Sequence, residues 1–398
     1  MSGAGAGPRN SVLQNHDLIV RVFQLLDQPL QQMQRTLPLV CQAWHAAAHS
    51  RELLSSIQPE FGQDLADWEE EPDLADQLES SLRACGAGGT LRELQLEVDS
   101  LLGFGGADQL STLTGLQHLR LSAHIRDHET TNTSLSVATL YRLTALEQLW
   151  LSGSPLETFE GLPPSLTQLH LAGWHDFTSS IGRALPAELE VLTRLHTMGL
   201  VDVHSAAPGA YGVLLKLPAL RRLSLTECEH VPSCLSGLTT LETLAIDHTP
   251  SHDHGEAADE LGAALACLGS SLTHLALRRL AFLLAGLPAG IASMTALRRL
   301  CWLRGRGWMA LQPMVRQLPP GPYLAGLREL GLDADVAAAS LAALDFTAQL
   351  TALAVGGMNG NGQRMLQVAA WAGARPGLQD LALSAPPDGY EAAGFRDH

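Results

Sequence analysis

The six-residue phrase L-x-x-L-x-L, apolar at its first, fourth and sixth places, recurs twelve times between Leu91 and Leu383. Its copies begin at Leu91, Leu116, Leu146, Leu166, Leu195, Leu220, Leu241, Leu272, Leu297, Leu327, Leu350 and Leu378. Eleven steps therefore cover 287 residues, a mean near 26, with single steps from 20 to 31. In an extended strand, places four and six point to one side and places three and five to the other. A single layer cannot bury its leucines, whereas stacked layers bury them against one another. The spacing predicts an α/β solenoid of about twelve layers, with a parallel strand ladder whose third and fifth places face outward.

Composition narrows the classes of partner. A net charge of -16 repels phosphate backbones and argues against general binding to nucleic acid or anionic membrane. The six cysteines (Cys41, Cys85, Cys228, Cys234, Cys267 and Cys301) form no C-x-x-C pair, and the opening MSGAGAGPRN has no apolar signal core. The longest apolar run, Leu280 to Ala292, is 13 residues long and contains Pro288. A bilayer span needs about 20. These features lead us to expect a soluble cytoplasmic protein, with the nucleus or the ciliary axoneme as other possible sites.

Along the chain we expect five parts. Residues 1–10, rich in Gly and Ala, read as disordered. Residues 11–57 carry apolar side chains at helical spacing, with Pro29 and Pro38 as breaks, and read as a small all-α module. Residues 58–86 form an acidic helical cap or linker, residues 87–384 the solenoid, and residues 385–398 a tail. Two stretches in long layers, Glu256 to Leu268 and Asp335 to Phe346, have helix-forming composition with apolar spacing of three and four. The short layer at Leu146, with Pro155, Pro163 and Pro164, is expected to turn without a helix.

The phrases LRELQL, LQHLRL, LEQLWL, LTQLHL, LRRLSL and LETLAI resemble the leucine-rich repeat family. The resemblance implies a right-handed solenoid with its parallel sheet on the concave side. In that family place nine usually holds Asn or Cys, whose side chain bonds the turns of adjacent layers; here only Cys228 fits. The run from Asp17 to Leu54 resembles an F-box in its apolar Leu18, its Val22-Phe23 pair, Leu26, and Val40-Cys41 followed by Trp44. The usual opening Leu-Pro is replaced by QNHD, with Asp17 as a candidate helix cap. The F-box resemblance implies that Leu18, Val22, Phe23, Leu26, Val40, Cys41 and Trp44 bind the adaptor subunit of an SCF ubiquitin ligase. It also implies that the C-terminal repeats hold the protein substrate.

Enzyme chemistry finds little footing in this chain. Neither GFGG (Gly103 to Gly106) nor GGMNGNG (Gly356 to Gly362) carries the Lys-Ser/Thr of a phosphate loop, and the single lysine of the chain is Lys216. His248, His252, Asp253, His254 and Glu256 have metal-ligand spacing, which a polar loop explains as well. The sequence thus calls for no enzyme activity, no cofactor and no metal. Outward places of the strands offer a candidate substrate face made of His118, Arg120, Gln148, Trp150, Gln168, His170, Arg222, His274 and Arg299, with Cys301 beside the last. Trp150 is a large aromatic ring at an outward place, either a binding anchor or a ring packed on His170. Arg222 and Arg299 on an acidic protein favour an acidic or phosphorylated peptide, unless they are simply solvated. The sequence reading is therefore a non-catalytic substrate receptor, the alternative being a cytoskeletal or axonemal repeat scaffold with no ligase role.

Overall fold

The computed structural model describes residues 56–57, 91–99, 110–124, 137–152, 159–173, 184–203, 209–228, 231–247, 254–280, 286–303, 317–356 and 362–383. The chain divides into two compact units, Met1–Leu169 and His170–His398.

Every one of the twelve phrases produces a strand, and each strand starts two residues after the phrase's first leucine. In the first unit these are β2 (Glu93–Asp99), β3 (His118–His124) and β4 (Gln148–Ser152). They are preceded by a strand the phrase does not mark, β1 (Ser56–Ile57), which pairs in parallel with Glu93 and Leu94 of β2. The division between units falls inside β5 (Gln168–Ala172). The second unit continues with β6 (Thr197–Val201), β7 (Arg222–Thr226), β8 (Thr243–Asp247), β9 (His274–Arg278), β10 (Arg299–Leu303), β11 (Glu329–Asp333), β12 (Ala352–Gly356) and β13 (Asp380–Leu383). From β6 to β13 each strand pairs in parallel with the next, place three against place three.

Leucines at places four and six fill the core: Leu149 and Leu151 are 1% and 3% exposed, Leu223 and Leu225 each 1%. The structure extends the phrase backwards. Before many strands the chain turns in a short 3-10 helix, as at Ala187–Val191, Gly212–Lys216, Ser233–Gly237 and Ala289–Ser293. A 3-10 turn repeats every three residues, so apolar side chains three apart share one edge. Leu214, Leu217 and Leu220 are such a series, closed by bonds from Leu217 N–H to the Leu214 carbonyl and from Leu220 N–H to the Leu217 carbonyl, both 3.2 Å. In this layer the repeat reads L-x-x-L-x-x-L-x-x-L-x-L.

Place two locks layers together. Its carbonyl accepts two N–H groups of the following layer, as when Thr273 and His274 both donate to Glu242 O at 2.8 and 3.0 Å. Where place two holds Thr, the hydroxyl joins in: Thr167, Thr273 and Thr351 donate to the carbonyls of Glu147, Glu242 and Arg328 at 3.0 to 3.1 Å. At place nine Cys228 fills the role the resemblance gave it, its Sγ lying 3.6 Å from the Leu200 carbonyl of the preceding layer. Place eight contributes more. Asp202, Glu227 and Arg279 all take positive φ, 52° to 56°, which turns their N–H groups onto the end of the next strand. The acceptors are the carbonyls of Thr226, Asp247 and Leu303, each at 2.8 Å.

Among the described residues five α-helices lie in the connections between strands. The expected helix at Glu256 to Leu268 is α1 (His254–Cys267), and a short α2 follows at Tyr323–Gly326. The single helix expected from Asp335 to Phe346 is two, α3 (Ala334–Ala339) and α4 (Leu341–Leu344). The break is at Ser340, which is buried and whose hydroxyl accepts the N–H of Leu318 at 2.9 Å. A side chain fixed on that distant amide holds the backbone at ψ 5°, away from helical values. No expectation covered α5 (Gly362–Gly373), which packs on α3. Arg364 bonds Asp335, while Trp371 Nε1 donates to Asp345 at 3.1 Å and Arg375 bonds the same carboxylate. As expected, the layer at Leu146 holds no helix between residues 159 and 167.

Candidate functional site

The alternation that buries places four and six turns places three, five and seven to the open face of the sheet. Burial follows this pattern in β4, β5, β8 and β9, whose outward residues are half-buried and inward ones buried. All nine candidate residues from His118 to Arg299 lie at outward places and none is in the core.

In the second unit register arranges the open face as three parallel rows. From β6 to β13 the middle row, place five, is made of small residues: Gly199, Ser224, Ala245, Ala276, Cys301, Gly331, Ala354 and Ala382, each in register with the next. One flank, place three, is polar over most of its length: Thr197, Arg222, Thr243, His274, Arg299 and Glu329. The other flank, place seven, includes Thr226, Asp247 and Arg278. With strands about 4.8 Å apart, seven gaps give a floor about 34 Å long. That length matches about ten extended residues.

Two places on this floor are filled by neighbours. A side chain on Gly199 would put its Cβ 2.1 Å from Nδ1 of His170, so the imidazole lies on the bare glycine. Cys301 is not an outward-facing thiol as expected; it is 3% exposed. With Ala276 on one side and Gly331 on the other there is room for its side chain to lie in the floor, 3.2 Å from where a Gly331 Cβ would be. Burial pushes the Cys301 thiol above its usual range, and the Arg278 guanidinium pulls it part of the way back.

Charged groups on and beside the flanks form pairs. Arg299 bonds Glu329 at 2.6 Å, Arg221 bonds Glu242, and Arg279 bonds Asp247 at 2.6 Å. Between these pairs lies His274, with Arg222 two strands away and Thr243 between them. Burial, and then the Arg299 guanidinium, hold its imidazole below the usual histidine range, against the opposing pull of Glu329.

In the first unit the question of what covers Trp150 has a definite answer. Arg120, its register partner on β3, lies over the ring with its guanidinium carbon 4.5 Å from the centroid. An arginine so placed stacks on the ring and shields one face. His118 and Gln148 are register partners beside that pair. Trp150 belongs to the first unit and Arg222 to the second. The adaptor candidates Leu18, Val22, Phe23, Leu26, Val40, Cys41 and Trp44 lie outside the described residues, as do His248, His252, Asp253 and the side chains of His254 and Glu256. Among the described residues no group of three or more His, Cys, Asp or Glu side chains could hold a metal ion. No helix among them is long and apolar enough to cross a membrane.

The small-residue floor was legible in the phrases, since place five reads G, S, A, A, C, G, A, A from Leu195 onward. Attention to large outward side chains missed it.

The fold is a leucine-rich repeat solenoid. No family model matches the chain, and no curated protein matches it. Among solved structures it is similar to a Leptospira interrogans leucine-rich repeat protein, at 15% identity and TM-score 0.36 over 76% of this chain and 70% of that one. It is also similar to the TLR13–ssRNA13 complex, at 14% identity and TM-score 0.33 over 84% of this chain and 52% of that one, and so spans about half of the latter's length. A third likeness is to the leucine-rich repeat domain of the type III effector XopL, at 16% identity and TM-score 0.30 over 94% and 97%. The assignment of the fold rests on strand register and leucine burial rather than on these likenesses.

Proposed function

We propose that this chain is a non-catalytic receptor. Its second unit captures an extended protein segment on the open face, and its F-box-like segment docks on the adaptor of an SCF-type ubiquitin ligase. The observation that carries the capture half is the floor from Gly199 to Ala382, eight small residues in register between more polar flanks. Large side chains there would fill the face; small ones leave room for a backbone to approach, with Arg222, His274 and Arg299 along one side for specificity. The adaptor half is supported by the sequence resemblance around Val22, Phe23, Val40, Cys41 and Trp44.

A repeat scaffold without a ligase role shares the floor and differs only at the adaptor. Purified adaptor binding by the full chain and by Phe23→Asp separates the two. The receptor reading expects binding by the wild type and its loss in the variant, with the circular dichroism of the repeats unchanged. An adaptor that binds neither protein, or both equally, leaves the scaffold.

A further inference from the structure

The last strand of the sheet breaks the burial rule that the others keep. One layer earlier, at places four and six of β12, Leu353 and Val355 are each 1% exposed; their register partners in β13, Leu381 and Leu383, are 40% and 39% exposed. Helix α5, which leads into β13, repeats the pattern. Its Val368 and Ala372 are buried, while Leu366 and Ala370, two residues away and so on the opposite face of the helix, are exposed. An end layer ordinarily turns a polar face outward. This one presents the leucines that a further layer would cover.

The backbone of β13 faces the same way. Among the described residues β13 pairs with β12 alone. Asp380 donates its N–H to the Thr351 carbonyl, ahead of β12, at 3.0 Å. Backbone groups alternate sides along a strand, so those of Ala382 also turn to β12, and those of Leu381 and Leu383 point out of the sheet edge. Such an edge is a template for another strand.

The strand that fits best is β13 itself. With a two-fold axis at Ala382, the two copies run antiparallel and Leu381 of each lies opposite Leu383 of the other. Each of those pairs exchanges two N–H···O bonds. All four leucines then fall on one side of the sheet, in line with the leucine core, and Ala382 meets Ala382 in the row of small residues. An axis half a residue away sets leucine against alanine on the wrong face. An axis at Leu381 sets Leu383 against the polar Gln379. The two Asp380 side chains lie beyond the paired residues, about 14 Å apart, so no like charges oppose. Pro386 and Pro387 have no N–H to donate and stop the pairing from running further.

We propose that β13 is a self-association edge, on which a second copy of this chain docks by antiparallel pairing of Leu381 with Leu383 about a two-fold axis at Ala382. The contact uses the same patch on both copies, so it closes at two.

The test uses the full chain, with its mass followed by sedimentation equilibrium. A strand of four residues offers a small interface, so association is read from about 1 to 200 μM. The wild type should pass from one copy to two across that range, with no larger species. Leu381→Lys sets an uncompensated charge against Leu383 of the second copy. It should weaken association by about a hundredfold or more with the circular dichroism unchanged. Cross-linking reads the register. Across the axis the two Cα atoms of residue 382 stand about 4.5 Å apart, within disulfide reach, whereas those of residue 380 do not. Ala382→Cys should therefore join two copies under mild oxidation, mapped to residue 382 in both by mass spectrometry, and Asp380→Cys should not. A wild type that stays monomeric throughout, Leu381→Lys associating like the wild type, or cross-links as efficient at residue 380 as at 382 would each overturn the proposal. So would a monomeric wild type that becomes dimeric once residues 386–398 are removed, because the chain's own tail would then be the occupant of the edge.

Discussion

Gly262 and Gly290 face each other where α1 meets the 3-10 turn of the following layer, and adding one methyl group to each should have opposite effects. A Cβ on Gly290 would sit 1.9 Å from the Gly262 carbonyl oxygen and 2.9 Å from the Ala266 nitrogen. Both are backbone atoms, so no rotamer relieves the clash. Ordinary contact between such atoms needs about 3.4 Å, which requires α1 to lift by about 1.5 Å. Leu261, Leu265 and Leu268, fully buried beneath α1, would lose their packing with it. Overpacking costs about 1–3 kcal/mol, and a backbone collision belongs at the upper end, about 3 kcal/mol. A Cβ on Gly262 meets nothing nearer than Pro288 Cβ at 3.6 Å, an ordinary contact. There the gain in helix propensity dominates, about 0.5–1 kcal/mol in favour of alanine. Two substitutions of the same kind across one contact should thus differ by about 4 kcal/mol. Urea titration followed by circular dichroism measures the difference, and hydrogen exchange of the α1 amides localises it, since repeat arrays can depart from two-state unfolding. Gly290→Ala within about 0.5 kcal/mol of the wild type, or a Gly262→Ala as damaging as Gly290→Ala, would refute this account of how the layers meet.

At place eight, Glu227 holds φ 55° to bond the Asp247 carbonyl. Glu227→Val should cost about 1–2 kcal/mol in the same titration, because a β-branched residue disfavours that region, while Glu227→Gly should cost nothing or stabilise slightly. If both variants match the wild type, the place-eight backbone does not depend on that conformation. The chain has one lysine, Lys216, exposed at the end of a 3-10 turn. On the receptor reading, Lys216→Arg should remove nearly all lysine-linked autoubiquitination in a reconstituted ligase. Strong modification of that variant, mapped by mass spectrometry, would place the acceptor at the N-terminal amine or a non-lysine side chain.

The positions of the strands were legible because one rule, apolar residues at places one, four and six, governs every layer. Periodicity two within the phrase fixed which side chains face the core, and the burial of Leu149 and Leu151 beside half-buried Gln148 and Trp150 follows from it. Several of the 3-10 turns were equally present in the sequence, as leucines three apart ahead of the phrases at Leu146, Leu195, Leu220 and Leu241, but a period of three belongs neither to a strand nor to an α-helix. Helix α5 was overlooked for a different reason: its glycine-rich approach, GGMNGNG, drew attention to a turn. The buried Val368 and Ala372, at a spacing of four, sit just beyond it. Other features depend on pairs of residues far apart in the chain. Ser340 breaks a helix because Leu318 needs an acceptor, and Trp150 is covered because Arg120 is its register partner. No local pattern reveals such pairings before the register is known.

The central claim is that one chain captures a protein segment on the floor of its second unit and presents it through a separate adaptor-binding segment. Ser224→Trp with Ala276→Trp fills that floor from two outward places without touching the leucine core. The direct measurement is quantitative co-purification from cells of the wild type and this double variant, each checked for native circular dichroism. The account predicts that the adaptor remains at wild-type level with the double variant while the other partners are lost. Partners retained in full by the floor-filled protein, or an adaptor lost together with them, would contradict it.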